Sequence, residues 1–175
     1  MTALARGGLW CRAAALLLLA TALASCMPPS WGAGAILHPR RRPVTQIPPD
    51  PHEELTFQGE GGVTLRGWRF RARGPRRGVV VYLHGIGDNR QSCWGLVTRL
   101  APLGYDIVAY DARAHGVSTG DACTYGYHEK QDLRRVLDAL GERRVVLFGI
   151  SLGAAVALQE AADDSRVAAV VSIST

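Results

Sequence analysis

The residue of this chain best suited to covalent chemistry is a serine between two glycines. The motif G-x-S-x-G spans residues 149–153 with Ser151 at its centre, between apolar residues 145–148 and alanine-rich residues 154–162. A strand–turn–helix setting of this kind predicts a sharp turn at which the serine hydroxyl faces a cleft. The N–H of Leu152 begins the predicted helix, where unpaired amides favour developing negative charge. The pattern indicates that Ser151 is a nucleophile.

Two more loops carry residue types that occur at reaction sites. Apolar residues 79–83 end in His-Gly-Ile-Gly at residues 84–87, and residues 105–110 end in an Asp-x-Arg-x-His-Gly-x-Ser segment at residues 111–118. In open α/β sheets, functional loops gather at the carboxyl ends of the strands. We therefore expect both loops to lie beside the serine turn.

The elements that must position these loops follow from the hydrophobic pattern. Residues 55–58 and 63–71 alternate apolar and polar side chains around a glycine-rich turn, which predicts an antiparallel hairpin. Apolar runs predict strands at residues 79–83, 107–110, 145–148 and 167–173, and helical spacing predicts helices at residues 92–103, 127–140 and 154–162. Their alternation predicts an α/β fold with a mainly parallel sheet that the antiparallel hairpin opens.

With these motifs the chain resembles the α/β-hydrolase superfamily, and most of all its small bacterial members grouped with serine aminopeptidases and monoacylglycerol lipases. The resemblance covers about residues 53–175. It implies that Ser151 is the nucleophile and that the backbone N–H groups of Ile86 and Leu152 form the oxyanion hole. The implied activity is that of a serine hydrolase that cleaves a small acyl ester, thioester or amide without a cofactor.

The resemblance implies structural roles for the polar residues of the other two loops. Asp111 and Arg113 hold their loop together, and His84 and His115 stand at typical motif positions. The alternative is that one of these histidines serves as the general base, which requires it to come within hydrogen-bond distance of Ser151.

The acid and base of a catalytic triad are not accounted for. The superfamily order is Ser, then Asp or Glu, then His, and the residues after Ser151 contain Asp163 and Asp164 but no histidine. Both aspartates fall at the end of the helix predicted at residues 154–162, on the wrong side of the sheet for a catalytic triad. We expect the N-terminal portion of a hydrolase, without the C-terminal strands and inactive by itself; a fragment, a truncated reading frame and a partial gene model stay open. The alternative function is a non-catalytic lipoprotein or a degenerate hydrolase fragment.

The first residues, 1–26, have the features of a lipoprotein-type signal peptide. Positive charge precedes an apolar stretch, residues 13–24, that is short for a membrane span. Residues 23–26 resemble a lipobox, in which Cys26 receives a diacylglycerol and acyl groups such as palmitate. The alternative is ordinary cleavage after residues 22–24, which would leave Cys26 unmodified.

Residues 27–52 resemble a tether between a lipid and the domain of residues 53–175. Seven of the nine prolines fall in this segment, and proline at this density favours extended chain. Its three arginines, residues 40–42, contact either water or anionic lipid headgroups. We expect an exported protein that is anchored to a bacterial membrane by Cys26, and in a diderm source Met27 favours the outer membrane.

Charge and cysteine usage argue against other classes of protein. The net charge is +5, but no basic face with interleaved aromatic residues indicates a nucleic-acid partner. Arg90 stands where a dinucleotide-binding fingerprint needs its third glycine. Cys93 and Cys123 either pair with each other after export or stay unpaired. No cysteine or histidine spacing predicts a metal site.

Overall fold

The computed structural model describes residues 29–174. The helices are α1 (Pro29–Leu37), α2 (Trp94–Leu100), α3 (Glu129–Leu140) and α4 (Leu152–Ala161), and the strands are β1 (Glu53–Gln58), β2 (Thr64–Phe70), β3 (Gly78–Leu83), β4 (Tyr105–Tyr110), β5 (Val145–Ile150) and β6 (Val167–Ile173). Short 3-10 helices lie at Glu60–Gly62, Arg90–Cys93 and Ala101–Leu103. The described residues divide between Ile36 and Leu37 into two units, and all six strands belong to the second unit, residues 37–174.

The six strands form one mixed sheet in the order β1-β2-β4-β3-β5-β6. Strands β1 and β2 pair antiparallel, as do β2 and β4. The pairs β3–β4, β3–β5 and β5–β6 are parallel. The predicted fold class is confirmed: an α/β fold with a mainly parallel sheet that an N-terminal antiparallel hairpin opens.

Helices cover both faces of the central strands, which explains why those strands are continuous apolar runs. On one face, α3 and α4 pack on alternate strand residues such as Val81, Val108 and Leu147. On the other face, α2 packs on the residues between them, such as Tyr82 and Ile107. The parallel strands therefore end at one edge of a rigid, two-sided core.

The two cysteines of the domain lie in separate clusters of this core. Cys93 belongs to the cluster under α2, and Cys123 belongs to the cluster under α3 and α4. Both are buried and unpaired. Of the two alternatives open from the sequence, the structure has the unpaired one, because the sheet separates the two thiols.

Several elements differ from their predicted lengths because of glycine and proline. The predicted helix at residues 92–103 is α2 flanked by two 3-10 turns. Pro102 has no N–H to donate, and Gly104, with φ 93°, ends the segment in a left-handed conformation. The helix predicted from residue 127 begins at Glu129, after Gly126 with φ 109°. Strand β4 begins two residues before the predicted start, at Tyr105.

The segment predicted as a tether, residues 27–52, is not extended chain throughout. Residues 29–37 form helix α1, which is compatible with the prolines because Pro29 occupies the first turn and Pro39 follows the end. The second compact unit begins at Leu37, well before the predicted boundary at residue 53. Residues 38–46 contact the loops of the sheet, as described below.

The predicted signal peptide and the lipidation of Cys26 lie outside the described residues. Within residues 29–174, no helix combines the length and apolar character that a membrane crossing requires. In the same part of the chain, no group of three or more histidine, cysteine, aspartate or glutamate side chains is placed to hold a metal ion.

Candidate active site

Ser151 stands at the corner between β5 and α4. Strand β5 ends at Ile150 and helix α4 begins at Leu152, so that one residue makes the whole turn. Its backbone angles are φ 49° and ψ −111°, outside the regions that side chains other than glycine usually adopt. Such a conformation costs about 1–3 kcal/mol and persists only where the surrounding fold enforces it.

The two flanking glycines allow this turn because backbone atoms press on both of them. A Cβ atom on Gly149 would lie 2.5 Å from the Cα of Ala154, and one on Gly153 would lie 2.3 Å from the carbonyl oxygen of Leu83. Any larger residue at either position would push α4 away from β5 or from β3. The G-x-S-x-G spacing is therefore a packing requirement at this corner.

The hydroxyl group of Ser151 is half-buried, and within residues 29–174 it has no hydrogen-bond partner. Its backbone is fixed on both sides: its N–H donates to the carbonyl of Ile173 at 2.7 Å, and its carbonyl accepts from Ala155. Leu152 is the first residue of α4, so its N–H has no carbonyl partner within the helix. The corner thus combines a free hydroxyl with an unpaired helix N-terminus.

The loop after β3 lies directly beside this corner. A Cβ atom on Gly85 would lie 3.6 Å from the Cβ of Ser151. The loop turns back at once, because the N–H of Asp88 donates to the carbonyl of Gly85 and Gly87 takes a φ of 69°. The name "oxyanion loop" is used below for residues 84–89, and Ile86, 42% exposed, lies at the tip of its turn.

His84 fixes the direction of the peptide between Gly85 and Ile86. Its Nδ1 lies 2.8 Å from the carbonyl oxygen of Gly85, and its Nε2 accepts from the N–H of Ala112 at 3.0 Å. These partners assign a neutral imidazole that donates from Nδ1. Because the peptide is trans, the N–H of Ile86 points opposite to the held carbonyl.

Burial keeps both histidines near the site neutral. It lowers the pKa of His84 and that of His115 below the ordinary value of 6.5. His115 contacts the carbonyl of Arg113 through Nδ1 at 2.8 Å, and its Nε2 is buried without a partner. The two rings lie 5.1 Å apart, and neither bonds to Ser151. The structure therefore does not bring His84 or His115 to Ser151 as a base.

The loop after β4, residues 111–118, is held by its own polar side chains. Asp111 is fully buried, and its carboxylate accepts from the N–H groups of Arg90 and Val117 at 2.7 and 3.0 Å. The Ser118 hydroxyl donates to the carbonyl of Asp111 at 2.6 Å. A Cβ atom on Gly116 would lie 2.2 Å from the Asp111 carboxylate. Asp111 faces one backbone N–H of its own loop and one at the start of the 3-10 helix Arg90–Cys93.

Arg113 connects the same loop to helix α3. Its guanidinium makes two hydrogen bonds to the Asp132 carboxylate, at 2.7 and 2.8 Å, and one to the carbonyl of Glu60. Both members of this pair are buried. The sequence did not indicate the partner, because Asp132 lies in a helix whose periodicity shows only an apolar stripe. Asp163 and Asp164 follow the end of α4, where Asp164 pairs with Arg166.

A cavity of about 20 Å³ lies at the corner, and it is lined by side chains and backbone from three strands' ends, including His84, Tyr110, Leu152 and Gly153. A larger cavity, of about 310 Å³, lies beside the end of β2 and is lined by Asp50, Arg69, Phe70 and Arg73 among others. The Arg69 guanidinium pairs there with Asp106 at 2.7 Å. The smaller cavity is the one that shares residues with the serine corner.

Comparison with known proteins agrees with this geometry. Residues 78–175 match the sequence model of a family described as alpha/beta hydrolase fold. The Bacillus subtilis protein YqkD is 31% identical over 85 residues, which cover 46% of this chain and 28% of that protein. An esterase of Pyrococcus furiosus is similar with a TM-score of 0.69 at 25% identity, covering 80% of this chain and 56% of the esterase.

A variant of an epoxide hydrolase from Vigna radiata is similar with a TM-score of 0.61 at 28% identity, covering 71% of this chain and 39% of that one. The chain spans less than half of the length of the sequence relatives that it matches, and about half of the length of the solved structures. The stretch that matches the family model, residues 78–175, includes the serine corner.

Proposed function

Since the chain belongs to the alpha/beta hydrolase fold family, we propose that it is a serine hydrolase that acts on an acyl ester, thioester or amide. The observation that carries the proposal is the corner at Ser151, where a hydroxyl without a hydrogen-bond partner stands at φ 49° before the first turn of α4. A serine on a strained strand-to-helix turn is the arrangement in which this fold presents a nucleophile.

The proposed reaction proceeds through a covalent acyl-serine. The Oγ atom of Ser151 forms a bond to the acyl carbon, its proton passes to a general base, and the leaving alcohol, thiol or amine departs with a proton. Water then attacks the acyl-serine, releases the acid and restores the hydroxyl. Splitting the reaction into two steps is useful only if Ser151 is activated, since a serine hydroxyl is a weak nucleophile at neutral pH.

The oxyanion hole in this proposal consists of the N–H groups of Ile86 and Leu152. The Leu152 N–H is unpaired within α4, and the Ile86 N–H is turned away from the carbonyl that His84 holds. Removing one such donor costs about 100-fold to 1000-fold in kcat in enzymes of this kind. Donors held in advance stabilise the developing charge without rearrangement.

The base and the acid of the proposed mechanism are not among the described residues. Neither His84 nor His115 contacts Ser151, and Asp164 is paired with Arg166. In this fold the acid and then the base follow the nucleophile in the chain. We therefore expect the 175 residues alone to cleave esters slowly, at the residual rate that binding and an oxyanion hole leave when triad members are absent.

Ester turnover by the gene product isolated from its source tests the proposal. p-Nitrophenyl acetate and butyrate are the substrates, and the expected result is turnover that Ser151→Ala reduces by at least 1000-fold. Ser165→Ala removes the hydroxyl of an exposed serine beyond α4 and should leave turnover unchanged. Absence of turnover in the wild-type gene product supports the alternative, a non-catalytic lipoprotein or a degenerate fragment.

We also propose that Cys26 carries the lipid that anchors the mature protein to a bacterial membrane. The support is the lipobox-like residues 23–26 after a short apolar stretch. Mass spectrometry of the mature N-terminus should show acyl mass on Cys26, and Cys26→Ala should release the protein from membranes, whereas Cys11→Ala should not. A mature N-terminus without acyl mass at Cys26 would contradict this proposal.

A further inference from the structure

Residues 38–46 follow the first described helix and contact two of the three loops that surround Ser151. They are called the strap below. They lie outside residues 78–175, the stretch that matches the family. Their polar contacts go to the loop after β4 and to the oxyanion loop, so they add a second connection between two loops that the hydrogen bond from the N–H of Ala112 to His84 already joins.

One set of strap contacts reaches the loop after β4. The Arg41 guanidinium donates to the carbonyls of Ser118 and Gly120, and His38 contacts the carbonyl of Asp121 through Nδ1. Ser118 is the residue whose hydroxyl bonds to the carbonyl of Asp111. The strap therefore fixes the outer half of a loop whose inner half is already held by buried side chains.

The second set of contacts reaches the oxyanion loop through Asn89, which is 1% exposed. Its Nδ2 donates to the carbonyls of Arg42 and Pro43 at 3.1 and 3.2 Å, while its Oδ1 accepts from the N–H of Gln91 at 2.9 Å. Every hydrogen-bonding position of this amide that points at the strap is occupied. An amide that is buried and satisfied in this way holds its partners in one register.

Further contacts on this side are more exposed. Arg42 pairs with Asp88 at 3.1 Å, with side chains 67% and 28% exposed, so solvent screens this pair. The N–H of Thr45 donates to Gln91 Oε1 at 2.8 Å. The buried amide of Asn89 therefore carries more of the connection than the ion pair does.

The turn that contains Ile86 is fixed at both ends. Its first carbonyl, that of Gly85, accepts from His84 and from the N–H of Asp88. Asp88 and Asn89, which follow the turn, are the residues that the strap holds. A shift of these two residues would tilt the Gly85–Ile86 peptide, because the hydrogen bond from Asp88 spans it.

We propose that the strap is a positioning element of the active site: Asn89 is the positioning residue that keeps the Ile86 N–H directed at the developing oxyanion, and Arg41 holds the other part of the strap on the loop after β4. The proposal rests on the proposed function of Ser151 and Ile86. It assigns the arginines at positions 40–42 unequal roles: Arg41 and Arg42 contact the loops, whereas Arg40 has no hydrogen bond or ion pair within residues 29–174. A segment that bound only lipid headgroups would use all three alike.

The test compares three variants of the full gene product. Asn89→Asp keeps the acceptor for Gln91 but turns the donor to Arg42 and Pro43 into a second acceptor. Arg41→Gln removes the contacts to the loop after β4, and Arg40→Gln is the matched control, with the same loss of charge. The first measurement is hydrogen exchange of the backbone amides in residues 86–92 and 117–123.

We expect Asn89→Asp to raise exchange in residues 86–92 by about tenfold or more, and Arg41→Gln to do so in residues 117–123, the change expected for one to two lost hydrogen bonds. Arg40→Gln should change neither. Equal effects of Arg40→Gln and Arg41→Gln, or unchanged exchange in all three variants, would overturn the proposal that the strap holds the loops.

The second measurement is kcat per active site, with the sites counted by fluorophosphonate titration. A displaced oxyanion donor lowers kcat by about tenfold and leaves KM within twofold, because the donor acts in the transition state. A purely structural defect would lower the number of titratable sites and not the kcat of each site, and that result would overturn the positioning role. If the wild-type protein is not labelled at all, the proposed function fails, and hydrogen exchange still decides whether the strap holds the loops.

Discussion

The elbow at residues 149–153 follows β5, and the loop at residues 111–118 follows β4 of the same sheet. The two are built from similar residues but differ in whether their polar side chains are hydrogen-bonded. Each has a residue other than glycine with positive φ, Ser151 at 49° and Ala114 at 59°. Each needs a glycine where a Cβ atom would overlap a neighbour. In the 111–118 loop the Asp111, His115 and Ser118 side chains are all buried, with hydrogen bonds to backbone groups.

In the elbow, by contrast, hydrogen bonds hold the backbone of Ser151 and not its side chain. The N–H and carbonyl of Ser151 are bonded to Ile173 and Ala155, while its hydroxyl has no partner within residues 29–174. Buried polar groups are mostly paired, and the described residues leave His115 Nε2 as a buried exception. The Ser151 hydroxyl differs because it belongs to a residue that is only half-buried and so stays partly accessible to solvent. The comparison separates the scaffold from the proposed nucleophile on physical grounds.

Gly153→Ala gives the largest expected effect on stability, because its new Cβ atom would clash with the backbone beside the elbow. The new Cβ atom would lie 2.3 Å from the carbonyl oxygen of Leu83, a backbone atom that cannot move away cheaply. We expect the free energy of unfolding to fall by about 3 kcal/mol, as measured by urea denaturation. Gly95→Ala, at an exposed position of helix α2 where a Cβ atom would meet no neighbour within 4 Å, should instead raise it by about 0.5–1 kcal/mol. A tolerated Gly153→Ala would mean that the turn is not tightly packed.

Asp111→Asn tests the other region and should have the next largest effect. The amide leaves one of the N–H groups of Arg90 and Val117 facing an NH2 group instead of an oxygen. Losing a hydrogen bond to a buried charge costs about 2 kcal/mol, which thermal or urea unfolding would detect. Asp121→Asn, at an exposed side chain, serves as the control. Equal stabilities of the two variants would remove the scaffold role of Asp111.

Acid should lower the free energy of unfolding through His84, in the oxyanion loop, and His115, in the loop after β4. Burial lowers both pKa values, so below the ordinary value of 6.5 the unfolded chain takes up protons that the folded chain does not. The contribution of the two neutral histidines to the free energy of unfolding is therefore complete above about pH 7. It falls as the pH drops toward the folded pKa values, by up to about 1.4 kcal/mol per pH unit for one histidine.

Unfolding midpoints between pH 7.5 and 5.5 measure this slope in wild type, His84→Asn and His115→Asn. Each variant should flatten the slope, since it removes one group that titrates only when the chain unfolds. Asp111 lies near both rings, Asp88 lies near the ring of His84, and Glu129 and Arg41 lie near the ring of His115. An unchanged slope in both variants would show that other groups cause the pH dependence.

Ser151→Gly has the smallest expected effect and the opposite sign. Glycine adopts a positive φ without the steric penalty of a Cβ atom, so this change should raise the free energy of unfolding by up to about 1 kcal/mol. Ser151→Ala, which keeps the Cβ atom, should stay within about 0.5 kcal/mol of wild type. A Ser151→Gly protein that is less stable than Ser151→Ala would mean that the elbow holds no strain.

The sequence sufficed for the architecture because patterns with a period determine strands and helices. Apolar runs located β3, β5 and β6, and glycine spacing located the elbow, since both depend on neighbours in the chain. The Arg113–Asp132 pair and the Asn89–strap contacts join residues 19 and 46 or more positions apart. No local pattern encodes such pairs, and proline density suggested extended chain where Pro29 in fact begins a helix.

The most direct test of the account is the site of fluorophosphonate attachment in the gene product from its source. A fluorophosphonate bonds only to a serine that is activated as a nucleophile, and mass spectrometry of the digested protein identifies the modified residue. The account predicts one adduct, on the peptide that contains Ser151, its loss in Ser151→Ala and its persistence in Ser165→Ala. An adduct on another serine, or no adduct in a folded wild-type protein, would contradict the assignment of Ser151 as the nucleophile.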